Sequence, residues 1–290
     1  NILGLKDGKP ITTPSQDMVL GAYYLTTIKE GAKGEGMVFE STNEMKKALV
    51  AGIVEYQSKI GVRVKKDNMD PGKIVHSTVG RFIYNEGLPQ DLGYVNRKED
   101  PYSLEVDTLI DSGMLKEIID KCFRKHGNIK TAEVLDYIKQ TGYKYSTLSG
   151  LTVSMDDVKI PAEKWNLIAE ADAAVDKYDK LYRRGLITDQ ERYEKVIEIW
   201  QDTTNKVTDA LLADLKDDNN IKIFADSGAR GSTNQIRQLG AMRGLMSQAD
   251  GKIIEIPIKA NFREGLSVQE YFISTHGSRK GLTDTALRTA

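Results

Sequence analysis

The sequence has one cysteine, three histidines and no long apolar run, and each shortage excludes a class of protein. Cys122 cannot form an internal disulfide framework and suits a reducing cytoplasm. His76, His126 and His276 are scattered along the chain, so the cysteine has no companion ligand and we expect no zinc or other metal site. No stretch is apolar over enough residues to span a bilayer, so we expect no membrane partner.

Ordinary catalytic motifs are also missing. The chain has no Walker-type phosphate loop and no nucleophile elbow, and its acidic residues form no tight cluster typical of a two-metal centre. The segment Gly31–Gly36 superficially resembles a dinucleotide-binding glycine pattern, but no strand precedes it and its spacing is wrong. A flexible loop is the better interpretation, and the sequence alone predicts no catalytic centre.

The two ends resemble neither the start nor the stop of a natural chain. Asn1 is not an initiator Met and opens no signal peptide, and Thr289-Ala290 falls within a helical pattern that lacks a capping Gly or Pro. We therefore expect an internal, multi-segment fragment of a larger subunit.

Charge is nearly balanced overall but uneven along the chain. The net charge of −1 gives no global basic field that would indicate nucleic acid. No acidic residue lies between Asp226 and Asp250, however, whereas Arg230, Arg237 and Arg243 all do. This local basic segment is more informative than the total.

Arg230 lies between Gly228 and Gly231, just before a predicted helix that carries Arg237. Glycines allow close approach of the backbone to a partner, and the helix N-terminus favours an anion. A triphosphate or nucleic-acid backbone contact is one interpretation. The other is an ordinary glycine-rich turn whose arginines form weak surface ion pairs with nearby acids.

The periodicity predicts a mainly α fold with a few short strands (α+β). The expected elements are, in chain order, a helix or strand over Met18–Leu25, a helix over 43–51, strands over 53–64 broken at Gly61, a strand or helix start over 76–83, and two or three amphipathic helices over 103–141 interrupted at Gly113 and Gly127.

Residues 159–218 predict a long antiparallel two-helix coiled-coil hairpin. Apolar residues recur at three- and four-residue steps on both sides of Gly185, which sits where a helix C-cap belongs. Thr188 and Glu191 form a capping box that starts the second helix. Each arm of about 24 residues would project roughly 35 Å, so the tip should stand clear of any core.

Two further capping boxes predict the last helices. Ser232 and Gln235 open a helix that should run to about Met246, and Ser267 and Glu270 open the final helix. Gly277 and Gly281 lie inside that final helix, each costing about 1 kcal/mol relative to Ala. Such a helix can bend and admit another backbone, or its glycines can simply pack against a neighbouring helix, and composition leaves both open.

Two stretches carry long, ordered motifs: residues 225–246 contain Ala225-Asp-Ser-Gly-Ala-Arg-Gly-Ser232, and residues 260–287 contain Tyr271-Phe-Ile-Ser-Thr-His-Gly-Ser278. They resemble segments of the largest (β′) subunit of bacterial RNA polymerase, although 95–140 match very little. The first resembles the segment that leads into the family's F-loop, and the second resembles its bridge helix. Residues 14–21 resemble the segment after its catalytic loop, and 185–193 the tip of its rim helices.

The resemblance implies an organisation in five segments. They are a segment following the catalytic loop (1–35), a funnel or secondary-channel region (36–158), the rim-helix hairpin (159–218), an F-loop region (219–258) and a truncated bridge helix (259–290).

The resemblance also implies a function, as part of a DNA-directed RNA polymerase, a nucleotidyltransferase. The chain would form the nucleotide-entry channel and part of the active-centre wall, with the β, α and ω subunits, the rest of β′, DNA template, RNA and nucleoside triphosphates as partners. Transcript-cleavage factors of the Gre type would dock on the rim helices.

Roles for individual residues follow from the same resemblance. They are nucleotide phosphate contacts for Arg230 and Arg237, template and hybrid contacts for Arg279, Lys280, Thr289 and Ala290, the channel lining for Gln16, and the partner-binding tip for Gly185, Leu186, Ile187, Thr188 and Asp189.

The family's aspartate loop, which holds catalytic Mg²⁺, is absent and would belong just before Asn1, and the trigger loop would follow Ala290. We therefore expect no cofactor in this fragment and no activity of the fragment alone. One alternative is a stand-alone interaction module that recruits a partner through the hairpin. Another, a solitary nucleotide-binding enzyme, would need a metal or phosphate site that the sequence lacks.

Overall fold

The computed structural model describes residues 4, 6, 8, 10–65, 70–248 and 250–289, and only the backbone of Lys280. The chain divides into two compact units. The first comprises Asn1–Leu151 with Phe224–Arg230, and the second comprises Thr152–Ile223 with Gly231–Ala290. Helices dominate the described residues, which confirms the expected mainly α fold with a few strands.

The elements follow one another in a simple order. Up to residue 151 they are α1 (Asp17–Thr26), β1 (Val38–Phe39), α2 (Thr42–Val50), β2 (Lys59–Val64), β3 (Lys73–Thr78), α3 (Val79–Asn85) and α4 (Ser112–Ser149). After it they are α5 (Lys164–Arg183), α6 (Asp189–Asp214), α7 (Asn220–Asp226), α8 (Thr233–Gly240) and α9 (Val268–Thr289). Of the two alternatives for Met18–Leu25, the helix is correct.

β2 is the central strand of a three-stranded sheet, parallel to β1 and antiparallel to β3. Gly61 lies inside β2, paired with Val38 and His76, so the predicted break there and the strand before it are wrong. Side chains of the neighbouring strands come within 3.0–3.2 Å of where its Cβ would stand. β3 leads directly into α3, whose first turn is capped by the Thr78 hydroxyl, which accepts from the Arg81 amide (3.3 Å). The strand and the helix predicted as alternatives there both occur.

Two glycine contacts fix α1 in the first unit. A Cβ built on Gly21 would stand 1.9 Å from the Gly142 carbonyl oxygen, and one on Gly142 would stand 2.5 Å from the Met18 carbonyl oxygen. At the other end of α1, a Cβ on Gly80 would stand 1.8 Å from the Leu25 carbonyl oxygen. Backbones therefore touch directly at both positions, which only glycine permits.

α4 is interrupted where the sequence predicted, at Gly127, whose backbone (φ 71°, ψ −168°) is not helical. The other predicted break is wrong, because Gly113 lies within the first turn of α4. That turn begins one residue earlier, after Asp111, whose carboxylate accepts from the Met114 amide at 2.7 Å. Residues 103–111, which were expected to be helical, form no helix.

α5 and α6 pack against each other as a helical hairpin, joined by residues 184–188. Gly185 takes the left-handed conformation (φ 72°) after α5, and the Thr188–Glu191 capping box starts α6, both as predicted. Burial is greatest away from the loop, where Trp200 is 3% exposed, and Tyr182 near the loop is 43% exposed. Regular coiled-coil packing along the seam stays a prediction.

α8 ends at Gly240, so the helix predicted to reach Met246 is wrong. A Cβ on Gly240 would stand 2.4 Å from the Lys159 carbonyl oxygen. The Asn261 side-chain amide donates to the Gly240 carbonyl at 2.9 Å, which satisfies a carbonyl at the end of α8. Ser232 makes no side-chain cap hydrogen bond to this helix, contrary to its predicted capping box.

α9 has the capping box predicted at its start. The Ser267 amide donates to Glu270 Oε2 (2.9 Å), and the Glu270 amide donates to Ser267 Oγ (3.3 Å). Gly277 and Gly281 lie within the helix without interrupting it.

We expect Gly21→Ala to loosen the contact of α1 with α4, because the added methyl must displace the Gly142 backbone. The expected loss is about 3 kcal/mol, at the upper end of overpacking effects. Hydrogen exchange of α1 amides in the intact protein measures it. Gly281→Ala is the matched control, because nothing lies within 4 Å of its added Cβ. Equal protection of α1 in both variants would contradict the contact.

Candidate functional site

The predicted partner-binding tip forms one continuous surface at the end of the hairpin. Gly185 and Leu186 follow α5, and the Leu186 side chain is 66% exposed. Ile187 is half-buried. Thr188 donates its amide to Glu191 Oε2 (2.8 Å), and this bond lowers the pKa of Glu191. Asp189 is the first residue of α6. The tip therefore presents an exposed apolar side chain on a well-capped helix start.

Arg192 and three carboxylates form a charged cluster near the tip. Its guanidinium donates to Glu255 at 2.7 and 3.1 Å and to Asp189 at 2.9 and 3.1 Å, and it lies 3.5 Å from Asp179. It also stacks 5.5 Å from the Tyr182 ring centroid. The hydrogen bonds to Glu255 and Asp189 raise the pKa of Arg192, and its side chain is only 16% exposed. Such shielded, bidentate pairs are stronger than ordinary surface pairs.

Arg230 closes the first unit on an exposed glycine turn. Gly228 and Gly231 on either side both have positive φ (70° and 84°), as the sequence indicated. The Arg230 amide donates to the Phe224 carbonyl at 3.3 Å, which folds the turn back on α7. Among the described residues, no carboxylate lies within ion-pair distance of its guanidinium, so the bland interpretation of a paired surface arginine finds no support in the structure.

Arg237 and Arg243 belong to the second unit, where the described residues place no carboxylate at ion-pair distance from either. Arg237 lies on α8, and its Nε is buried without a hydrogen-bond partner. Arg243 lies 5.1 Å from the Phe262 ring centroid and donates to Gln238 at 3.4 Å. Burial lowers the pKa of Arg243. A buried guanidinium donor without a partner is uncommon in folded proteins.

A buried polar network ties the segments of the second unit together. The Lys164 ammonium, fully buried at the start of α5, pairs with Glu264. Glu264 also accepts from the Asn261 amide (3.2 Å), and the Asn261 side chain donates to the Gly240 and Ala241 carbonyls at 2.9 and 3.1 Å. Burial lowers the pKa of Lys164, and Glu264 partly offsets this effect. This network thus joins the base of the hairpin to the end of α8 and to the segment that leads into α9.

α9 carries the residues predicted to face nucleic acid, and it is exposed along most of its length. Tyr271 and Phe272 at its start are 58% and 62% exposed, and Leu282 is 75% exposed. Arg279 is exposed, as is Thr289, whose hydroxyl donates to the Thr285 carbonyl at 2.6 Å. Hydroxyls bonded to the carbonyl four residues back weaken helical preference.

Of the remaining predicted site residues, Gln16 is described in full, whereas Lys280 and Ala290 are not. Lys280 lies within α9, but only its backbone is described, and Ala290 lies outside the described residues. Gln16 is exposed and precedes α1 with φ 51° and ψ −121°, which makes it the one non-glycine residue with positive φ in the described part of the chain. Such strain costs on the order of 1–3 kcal/mol and often marks functional positions.

Sequence reasoning missed Lys164, Arg192 and Asn261 as organising residues. Lys164 follows Pro161 in an ordinary helix start, so nothing local marks it as buried. Arg192 and Asn261 did lie in stretches that resembled the β′ family, and that was the only available signal. Glu255, which Arg192 binds, lies 63 positions away, and Glu264, which pairs with Lys164, lies 100 positions away.

The described residues contain no group of three His, Cys, Asp or Glu side chains arranged to hold a metal ion. None of the described helices is long and apolar enough to cross a membrane.

Three family models match the chain in sequence order. RNA polymerase Rpb1, domain 3, matches residues 1–158, domain 4 matches 187–263, and domain 5 matches 265–290. The first match alone covers more than half of the chain. The chain therefore belongs to the RNA polymerase Rpb1 family, the family of the β′ subunit.

Curated relatives agree with this assignment. The chain is 62% identical over 290 residues to the DNA-directed RNA polymerase subunit beta' of Alkaliphilus oremlandii and 63% identical over 291 residues to that of Clostridioides difficile. It is 54% identical over 294 residues to the subunit of Thermoanaerobacter pseudethanolicus. Each match includes 100% of this chain, which spans only 25% of the relative's length.

We expect Glu264→Gln to destabilise the second unit by about 3 kcal/mol, because it leaves the Lys164 charge buried without its partner. The double variant with Lys164→Met should recover most of this loss, since no unpaired charge remains. Hydrogen exchange across α8 and the start of α5 measures both. A double variant as unstable as Glu264→Gln would show that packing, rather than charge, causes the loss.

Proposed function

We propose that this chain is the part of a bacterial RNA polymerase β′ subunit that forms the nucleotide-entry channel and one wall of the active centre. The observation that carries the proposal is the match to β′ subunits over the whole chain at up to 63% identity. In this role the chain works only when assembled with the rest of β′ and with the β, α and ω subunits. Its proposed contribution to RNA synthesis is to bind and position substrates.

α9 is proposed to be the bridge helix, with Arg279, Lys280, Thr289 and Ala290 directed to the template and the RNA–DNA hybrid. Two observations support this. The helix is apolar and exposed at several positions, which is typical of a surface that a larger assembly covers. Its glycines and its carbonyl-bonded hydroxyls suit close approach by another backbone.

Arg230 and Arg237 are proposed to contact the phosphates of the incoming nucleoside triphosphate. Among the described residues of its own unit, no carboxylate lies at ion-pair distance from either guanidinium, and Arg237 Nε is buried without a hydrogen-bond partner. Arginine binds phosphate through two parallel hydrogen bonds and keeps its charge at any working pH. Fixed positive groups of this kind stabilise the charge that develops during phosphoryl transfer.

In the intact polymerase, magnesium would supply the two-metal chemistry, and its aspartate ligands are proposed to lie outside this chain. The residues of this chain would bind and orient the triphosphate, and Gln16 would line the inner end of the channel that admits it. The strained backbone of Gln16 supports a functional rather than a structural role there.

The hairpin is proposed to form the channel rim on which transcript-cleavage factors of the Gre type and similar regulators dock. The exposed Leu186 and the rigid capping at Thr188 support this assignment. A preformed apolar tip loses little conformational freedom on binding.

We expect Arg230→Ala in the assembled polymerase to raise the nucleotide KM or lower kcat by roughly tenfold, because one charge-assisted phosphate contact is lost. Arg230→Lys should cause a smaller kinetic loss than Arg230→Ala, since lysine keeps the positive charge but lacks the paired donors. Single-nucleotide addition kinetics measures both variants. Kinetics indistinguishable from the parent enzyme would remove Arg230 from the phosphate site.

We expect Leu186→Asp to weaken binding of a Gre-type factor by roughly tenfold and to leave elongation nearly unchanged, because the tip is far along the hairpin from its buried base. Titration of the factor against assembled polymerase measures the affinity. Val50→Asp, at a residue 89% exposed in the first unit, controls for adding an acidic group elsewhere. Equal damage to factor binding and elongation would contradict the rim assignment.

A further inference from the structure

Residues 243–260, with Ala249 outside the description, form a β-ribbon loop between α8 and α9. Gly244 and Ile258 exchange two backbone hydrogen bonds, each 2.9 Å long. Farther along, the Ile254 amide donates to the Met246 carbonyl at 2.8 Å, and the Gln248 amide donates to the Lys252 carbonyl at 2.7 Å. This 243–260 loop is therefore an ordered element rather than a slack connection.

One side of the 243–260 loop is fastened to the hairpin at two levels. Toward the hairpin base, Lys259 donates to both Asp172 oxygens (2.7 and 2.8 Å) and lies 5.2 Å from the Trp200 ring centroid. Toward the tip, Glu255 accepts two hydrogen bonds from Arg192. The loop thus extends along the hairpin.

A third attachment reinforces the level nearest the tip. The Tyr193 hydroxyl donates to the Ile253 carbonyl at 3.0 Å, and the Lys252 ammonium lies 5.0 Å from the Tyr193 ring centroid. Arg192 and Tyr193 are adjacent on α6, directly after the capping box that begins the helix. The end of the loop is consequently held by the first turns of α6.

The other side of the 243–260 loop meets α9. A Cβ on Gly277 would stand 3.1 Å from the Ser247 carbonyl oxygen, so the loop backbone rests close to the helix at this glycine. Ser247 forms an isolated β-bridge with Ile253, the residue that Tyr193 holds. A short chain of contacts therefore runs from Arg192 and Tyr193 through the loop to Gly277.

We propose that Arg192 is a positioning residue for nucleotide addition: through Glu255 it holds the 243–260 loop against α9 at Gly277. Arg192 need not touch a substrate, since its effect passes through the loop. Asp189 and Asp179 keep its guanidinium in place from the hairpin side, so Glu255 meets a fixed partner. The inference rests on the proposed function because its kinetic readout is nucleotide addition.

The experiment uses polymerase assembled with full-length β′ carrying Glu255→Ala. Exchange of the Ile254 and Gln248 amides should become on the order of tenfold faster, because a paired, charge-assisted contact is lost. The kcat for single-nucleotide addition should fall roughly fivefold, with KM unchanged, because no nucleotide contact is removed. Glu198→Ala is the control. It breaks the exposed ion pair of Glu198 with Lys195 on α6, the helix that carries Arg192, and this pair does not contact the 243–260 loop.

A double variant separates coupling from simple damage. If Arg192 acts through Glu255, adding Glu255→Ala to Arg192→Ala lowers kcat no further. Additive losses would overturn the proposal, as would a loosened loop with unchanged kcat or a loop whose exchange does not change. The Arg230→Ala enzyme is measured in parallel. If that variant behaves like the parent, the proposed phosphate site fails, whereas the exchange data and the double variant still decide the role of Arg192.

Discussion

The buried pair of Lys164 and Glu264 is the contact on which the second unit depends. Burying a lysine ammonium away from water costs free energy of folding, and its carboxylate partner must be in place to offset that cost. Glu264 reaches it only because Asn261 holds the preceding backbone against the end of α8. The approach to α9 is consequently set by the base of the hairpin, about a hundred positions earlier in sequence.

From this base, the second unit extends by contacts that grow more polar toward the tip. Apolar side chains such as Val207 and Leu211 are buried toward the hairpin base, whereas Arg192 and its carboxylate partners lie near the loop. The 243–260 loop follows the same gradient, from Lys259 to Glu255. The apolar base therefore contributes most of the stability of the hairpin. The polar contacts nearer the tip can open at a lower free-energy cost.

The sequence was most reliable where structure depends on neighbours within a turn. The capping boxes at Thr188 and Ser267, the cap at Gly185 and the break at Gly127 all follow from local chemistry, and all were predicted. Some errors arose where distant residues decide, although the capping box at Ser232 and the break at Gly113 were local predictions that also failed. Gly61 looked like a break because only the partner strands show why a glycine fits there.

The end of α8 and the site residues follow the same rule. The helix stops at Gly240 because Lys159 and Asn261 meet it, and neither is near in sequence. The resemblance to the β′ family located the arginine segment and the tip, but burial of Lys164 and the bonds of Arg192 needed the folded chain. Local chemistry offered a phosphate contact for Arg230 and Arg237 as one of two interpretations, and the family resemblance alone gave a role to the tip.

The backbone contact between Gly21 and Gly142 limits which amino-acid substitutions the first unit can accept. Most tight contacts tolerate a larger residue when the opposing side chain becomes smaller. Here neither partner has a side chain to give up, so no single substitution opposite can compensate for a gain on either helix. The two positions are thus fixed independently rather than as a covarying pair, and only a shift of an entire helix could release them.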